Sequence, residues 1–168
     1  FRNQTSQSQN TYTYRVYVND TTGNIAASSS ITIILDTTKP ALTLISPANG
    51  TIQSSTAATF QASTTDNNLK NVSLYIDGAF NQANISGLQG TYLFTATLSS
   101  GQHTWYIISY DRANNFNQSA ARTIEIDTTL PAGITFVSPT ELDNLAFSRN
   151  WYYVNVTFTE TYPSSCVL

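Results

Sequence analysis

The chain has 168 residues, a formal net charge of −3, one Cys, one His and no Met. Only 10% of its residues are charged, against about 25% in an ordinary soluble domain, and its polarity comes from Ser, Thr, Asn and Gln. With no basic run there is no phosphate-neutralising nucleic-acid surface. One Cys and one His cannot build a Cys/His zinc site, and no apolar run approaches the roughly 20 residues that span a bilayer.

The chain repeats itself. Thr13–Ala41 (TYRVYVNDTTGNIAASSSITIILDTTKPA) recurs as Thr104–Ala132 (TWYIISYDRANNFNQSAARTIEIDTTLPA), an offset of 91 residues. A period of that size is too long for a solenoid unit and suits a small domain in a tandem array. Residues 1–35 therefore read as the C-terminal strands of a preceding module, 36–126 as a complete module and 127–168 as the N-terminal strands of a following one. With no Met at position 1 and no signal-peptide pattern, the chain reads as a processed product or an excised piece.

Within 36–126 no segment has helical periodicity, and short alternating runs predict strands. The first is Ala41–Ser46, closed by the turn Pro47-Ala48-Asn49-Gly50. The second is Ala57–Ser63, with Ala58, Phe60 and Ala62 on one face. Lys70–Asp77 follows, with Val72, Leu74 and Ile76 inward and Asp77-Gly78 as its turn. Weaker strands are expected at Ala79–Ile85 and Tyr92–Leu98. After Ser100-Gly101, His103–Asp111 sets Trp105 and Ile107 on the core side. The loop RANNFN then leads to Arg122–Ile126, with Ile124 and Ile126 inward. About seven short strands at regular spacing predict an all-β fold of tandem immunoglobulin-like antiparallel sandwiches. Trp105 is the expected core anchor, replaced by Tyr14 in the preceding copy.

These residues carry a family resemblance. DTTKPALTLISPANG followed by GQHTWYIISYDRANN resembles the tandem immunoglobulin-like modules, also fibronectin-III-like, of prokaryotic and especially archaeal cell-surface proteins. The D-x-x-G-N element is intact at Asp20–Asn24, and Asn114 stands where Gly is expected, a substitution that Asn's tolerance of positive φ permits. The resemblance is specific for architecture and weak for function.

His103 would be a general base only beside a nucleophile and an orienting acid, and it reads instead as a strand-start residue equivalent to Tyr12. No catalytic residues are expected, and no cofactor beyond calcium. In this fold Asp36, Asp66 and Asp111 fall at one end of the sandwich, where with Asn67, Asn68 and backbone carbonyls they could hold calcium. They could equally be turn caps bonding their own backbone. Tyr75, Tyr106, Ile108 and Tyr110 alternate with inward residues and form a candidate contact face, for sugar rings, for another module, or simply as cross-strand pairs. Trp151-Tyr152-Tyr153, expected at a strand start, raise the same question.

Asn-X-Ser/Thr acceptor triplets begin at Asn3, Asn19, Asn49, Asn71, Asn84, Asn117 and Asn155, although a composition this rich in Asn, Ser and Thr also makes such triplets by chance. Cys166 has no internal partner.

The expectation is a non-catalytic structural or adhesive segment of an extracellular surface array, an S-layer or a filament. Its expected partners are neighbouring modules or identical subunits, with 127–168 of one chain completed by 1–35 of the next in a head-to-tail fibre. The alternatives are a carbohydrate-binding module recognising surface glycans, and a spacer of a secreted enzyme.

Overall fold

Alternation and turn chemistry play out along the whole chain. In the computed structural model, which describes residues 4–167, the alternating runs are strands, and no helix occurs among the described residues. The strands in chain order are β1 (Asn10–Tyr14), β2 (Tyr17–Asn19), β3 (Ile25–Ala27), β4 (Ile31–Leu35), β5 (Ala41–Ser46), β6 (Thr51–Gln53), β7 (Ala57–Thr65), β8 (Leu69–Ile76), β9 (Ala79–Asn84), β10 (Gly90–Thr97), β11 (Gly101–Asp111), β12 (Phe116–Gln118), β13 (Arg122–Ile126), β14 (Ala132–Phe136) and β15 (Val156–Thr159). The chain divides into two compact units, one ending at Ile126 and one beginning at Asp127.

Residues 41–126 form the sandwich. One sheet has the order β10-β7-β5, and the other runs β6-β13-β11-β8-β9 with β12 added to β11. Pairing is antiparallel throughout, except that β6 runs parallel to β13. Period-2 alternation sends one face of each strand inward. Ala58, Phe60, Ala62, Val72, Leu74, Trp105, Ile107, Ile124 and Ile126 are buried together. The Trp105 ring meets Phe60 at 5.0 Å between centroids. The Arg122 guanidinium lies 5.8 Å from the Trp105 ring centre and donates to the carbonyls of Leu44 and Pro47 at 3.2 and 2.7 Å, tying the two sheets together without a disulfide. Each large side chain buried here contributes about 1.5–3 kcal/mol. The all-β, immunoglobulin-type expectation holds.

Two strands are corrections. β6 follows the expected turn at 47–50, in residues given no element from sequence, and β12 begins inside the expected loop RANNFN. Each has three residues, too few to show alternation, and each is defined by a partner strand: β13 lies some 70 residues along the chain from β6, and β11 supplies the ladder for β12.

The repeat is visible in the backbone. β1 pairs β4 with Asn10 opposite Leu35 and Tyr14 opposite Ile31, as β11 pairs β13 with Gly101 opposite Ile126 and Trp105 opposite Arg122. β2 pairs β3 with Tyr17 opposite Ala27, as Ile108 pairs Gln118. Where the two ribbons differ is in cover. Tyr14, Val16 and Ile33 are 47%, 57% and 44% exposed, whereas Trp105, Ile107 and Ile124 are 0% exposed. Tyr14 is therefore not a core anchor in this chain, because nothing among the described residues packs over its face of the ribbon as the β10-β7-β5 sheet covers the core face of 101–126.

In the second unit β14 pairs β15 antiparallel, with Phe136 opposite Val156. Trp151, Tyr152 and Tyr153 precede β15 and lie in no strand, which corrects their expected place at a strand start.

Candidate functional site

The three aspartates do meet. One carboxylate oxygen from each of Asp36, Asp66 and Asp111 lies within 4.8 Å of the others. Asp36 enters from the linker before β5, Asp66 follows β7 and Asp111 ends β11. Such a group could furnish part of a hard-cation shell, with the free amide oxygen of Asn68 nearby. Each carboxylate is nevertheless already bonded as a cap. Asp36 accepts from the Thr38 amide at 3.0 Å and from Asn68 Nδ2 at 2.8 Å. Asp66 accepts from the Asn68 amide at 2.7 Å. Buried Asp111 accepts from the Asn115 amide and side chain at 2.8 and 2.7 Å.

The repeat supplies a control. Asp20, the counterpart of Asp111, is exposed, yet it accepts from the Asn24 amide and side chain at the same 2.8 and 2.7 Å. Asp127 caps the Thr129 amide at 2.9 Å, as Asp36 caps Thr38. The bonding is therefore a property of the turn and needs no ion. Electrostatics sorts the carboxylates accordingly. The Asn24 side chain, then Thr22 and the Asn24 amide, hold Asp20 down at about 2. Asn68 and the Thr38 amide lower Asp36. Asp66 is raised, chiefly by burial and then by the charges of Asp36 and Asp111.

Sequence reasoning missed the surroundings of His103. Its Nδ1 lies 2.7 Å from Asp77 Oδ2, and its Nε2 lies 3.1 Å from the Ser99 carbonyl and 3.4 Å from Ser99 Oγ. An acid, an imidazole and a hydroxyl in sequence resemble a hydrolytic triad, but the chemistry differs. Both ring nitrogens face acceptors, which favours the imidazolium, a donor rather than a base. The Asp77 hydrogen bond, against some burial, raises the pKa of His103, with the Ser99 carbonyl and the Asp77 and Glu125 charges adding to it. Burial pushes Asp77 up, but the bonds to His103 and the Thr104 amide outweigh it and leave Asp77 lowered. The repeat again interprets the contact: Tyr12 Oη donates to the Ser8 carbonyl at 2.8 Å and lies 3.3 Å from Ser8 Oγ. Ser8 and Tyr12 are the counterparts of Ser99 and His103, so a polar side chain at this position latches the preceding turn in both copies. The pairing of Ser8 with Ser99 at offset 91 was the signal in the sequence.

On the outer face of the larger sheet, Tyr75 and Tyr106 stack at 5.1 Å with 4° between their planes, and Phe80 meets Tyr75 edge-on at 5.8 Å. Tyr110 packs on Phe116 at 5.4 Å, beneath Lys39. Ile108 is buried at 9% exposure, which removes it from the candidate contact face. Phe80 and Phe116 join the aromatic rows only through strand register. In the second unit the Arg149 guanidinium sits 4.0 Å from the Trp151 ring centre and 4.4 Å from that of Phe147, so the exposed aromatics there stack on a cation.

The acceptor triplets differ in setting. Asn19, Asn49, Asn84 and Asn155 are exposed, whereas Asn71 and Asn117 are partly buried. Asn49 Oδ1 accepts from the Thr123 amide at 2.8 Å, and Asn117 Nδ2 donates to the Pro40 carbonyl at 3.0 Å. Asn71 sits within β8 with its side-chain oxygen buried and unpartnered. Asn3 lies outside the described residues. Cys166 is exposed and free.

Residues 40–107, within the module at the centre of the chain, match the family model described as Bacterial Ig domain. Among solved structures, the chain is similar to the fibronectin(III)-like modules of Clostridium thermocellum CbhA, at 16% identity and TM-score 0.45, over 71% of this chain and 64% of that one. It is also similar to Bacteroides ovatus SGBP-B, of a mixed-linkage glucan utilization locus, solved in complex with a mixed-linkage heptasaccharide. There the identity is 20% and the TM-score 0.27, over 83% of this chain and 36% of that one. The chain thus spans less than two thirds of either structure. No curated protein matches it.

Proposed function

We propose that the chain is a non-catalytic structural segment of an extracellular array built from Ig-like repeats, in which 1–35 closes one module, 36–126 is the next and 127–168 opens a third. One observation carries this reading: the same strand ribbon occurs twice in one register, buried at 101–126 and bare at 10–35. A bare face with Tyr14, Val16 and Ile33 on it is stable in water only under a cover like that given to Trp105, Ile107 and Ile124. The strands that cover it are of the β5–β7 kind, supplied by a neighbouring repeat or by an identical subunit.

The test is a longer chain in which a copy of residues 36–100 is joined directly ahead of Asn10. Hydrogen-exchange protection of Tyr14, Val16 and Ile33 is expected to rise to that of their buried counterparts. Unchanged exchange across 10–35 would end the modular reading. Sedimentation of the 168-residue chain over a concentration series then separates the two sources of cover, since association is expected only where an identical subunit supplies it.

Sugar binding through the outer aromatics has less support. Tyr75 spends one ring face on Tyr106 and meets Phe80 with the other side, which is how cross-strand pairs stabilise a sheet.

A further inference from the structure

The exposed and engaged acceptor triplets are not equivalent, and their backbones say why. A glycosyl-transferring enzyme must grip the Asn amide and the hydroxyl two residues on together, so the intervening backbone has to be free of the ladder. At Asn71 the triplet lies wholly within β8, paired on both sides. At Asn117 the triplet starts within β12, and its Asn amide is held by Pro40. At Asn49 the hydroxyl of Thr51 donates to Ala48, and Thr51 itself belongs to β6. At Asn19 the following Asp20 is closed into a turn, its amide donating to the Asn24 carbonyl at 3.0 Å. At Asn155 the triplet runs into β15, where Val156 and Thr157 pair β14.

Asn84 alone of the described triplets differs. It is the last residue of β9, and Ile85 and Ser86 lie beyond the strand, all three exposed. Asn84 Oδ1 accepts from the Ser86 amide at 2.9 Å, a side-chain turn that curls the triplet outward. Its Nδ2 has no hydrogen-bond partner among the described residues. The loop that follows is pinned from behind: Gly87 has φ of 67°, and a Cβ there would come within 2.8 Å of the Leu69 carbonyl oxygen. The Tyr92 hydroxyl also donates to the Leu88 carbonyl. The triplet is thus presented outward on a fixed loop.

We propose that Asn84 is the acceptor of an N-linked oligosaccharide in the folded chain, an inference that rests on the extracellular reading above. The donor class is a lipid-pyrophosphate oligosaccharide. Asn84 Nδ2 forms a bond to the anomeric carbon, and the bond from that carbon to the pyrophosphate oxygen breaks. The lipid pyrophosphate departs, and the amide proton passes to a base of the transferring enzyme. The glycan would stand at the end of β9, the unpaired edge of the larger sheet, and beside the exposed side chains of Ile85 and Leu88. Covering such an edge blocks strand addition by another chain.

The experiment incubates the purified 168-residue chain, folded and in parallel denatured, with a single-subunit oligosaccharyltransferase of Asn-X-Ser/Thr specificity and its lipid-linked donor, and maps glycopeptides by mass. In the folded chain Asn84 is expected to carry at least about tenfold more glycan than Asn71 or Asn117, which need local unfolding first. Denaturation should erase that preference. Ser86→Ala should abolish modification at Asn84, and Ser86→Thr, which keeps a hydroxyl to accept from the Leu88 amide as Ser86 Oγ does at 3.4 Å, should keep it. A folded chain left unmodified at Asn84, or modified equally at Asn71, overturns the proposal. Native material without glycan at Asn84, even alongside its modification by the purified enzyme, overturns the proposal, whereas the array reading stands or falls separately on the cover of residues 10–35.

Discussion

The ribbons 10–35 and 101–126 share pairing register and turn bonds, although β11 runs unbroken where the first copy has β1 and β2, yet one is a core element and the other a bare sheet. The D-x-x-G-N or D-x-x-N-N turn closes both with the same hydrogen bonds, whether its Asp is exposed or buried. The left-handed position in that turn is Gly23 with φ of 92° in one copy and Asn114 with φ of 67° in the other, the two residue types that take such a φ readily. Local chemistry is thus enough to set the backbone of this ribbon. Its energetic role is decided by what lies over it.

The largest expected effect follows from cover. Trp105→Ala should cost about 3–5 kcal/mol, a large share of the stability of a module this size. Tyr14→Ala should change stability by about 0.5 kcal/mol or less. Chemical denaturation followed by circular dichroism measures both, and equal losses would break the contrast between the ribbons. Next is the buried turn. Asp111→Ala leaves the Asn115 amide and side chain without their acceptor inside the protein and should cost about 2 kcal/mol, whereas Asp20→Ala, in water, should leave the thermal midpoint where it was.

The third prediction uses position 103, where a titratable His stands in place of the first copy's Tyr12. His103 has a folded pKa above its ordinary 6.5, so its contribution is fully present below that value and is lost as pH rises through the folded one. Asp77 is lowered, so its contribution is present above the ordinary carboxylate range and is lost as pH falls through its folded pKa. The thermal midpoint should therefore decline from pH 6 to pH 9. His103→Tyr, which installs the residue of the first copy, should fold and flatten that decline. A slope unchanged in this variant would show that the Asp77–His103 pair is not its source.

The smallest effect separates turn caps from a cation site. Asp66→Asn removes one of three clustered carboxylates, keeps an oxygen for the Asn68 amide, and should raise stability by about 0.5 kcal/mol at pH 7 with chelator present. Added calcium should not move the midpoint of the parent chain. A calcium-dependent rise that Asp66→Asn abolishes would establish a bound ion instead.

Much of this architecture is legible in the residues. Runs such as Ala57–Ser63 and Arg122–Ile126 alternate cleanly, and they are strands with the anticipated inward faces. Asp77-Gly78, both at positive φ, is the two-residue hairpin turn that its composition announces. β6 and β12 were not legible, because three residues carry no period and only their partners make them strands. Ile108 was expected on a contact face from alternation alone, but alternation reports which side of the sheet a residue faces and not what its neighbours do above it. The meeting of Asp36, Asp66 and Asp111 was legible from topology, whereas their service as caps emerged from the hydrogen bonds and from comparison with Asp20.

By itself the sequence determined the all-β class, the turn positions and the inward residues of the long strands, since each depends on interactions within a few neighbours along the chain, and it carried the 91-residue repeat as plain self-similarity. Tertiary structure alone decided which copy of the ribbon is covered, that Asp77 and Ser99 flank His103, and that Asn84 ends its strand so that Ile85 and Ser86 lie outside the ladder. Those properties depend on solvent exclusion and on partners distant in sequence, and no local pattern encodes either.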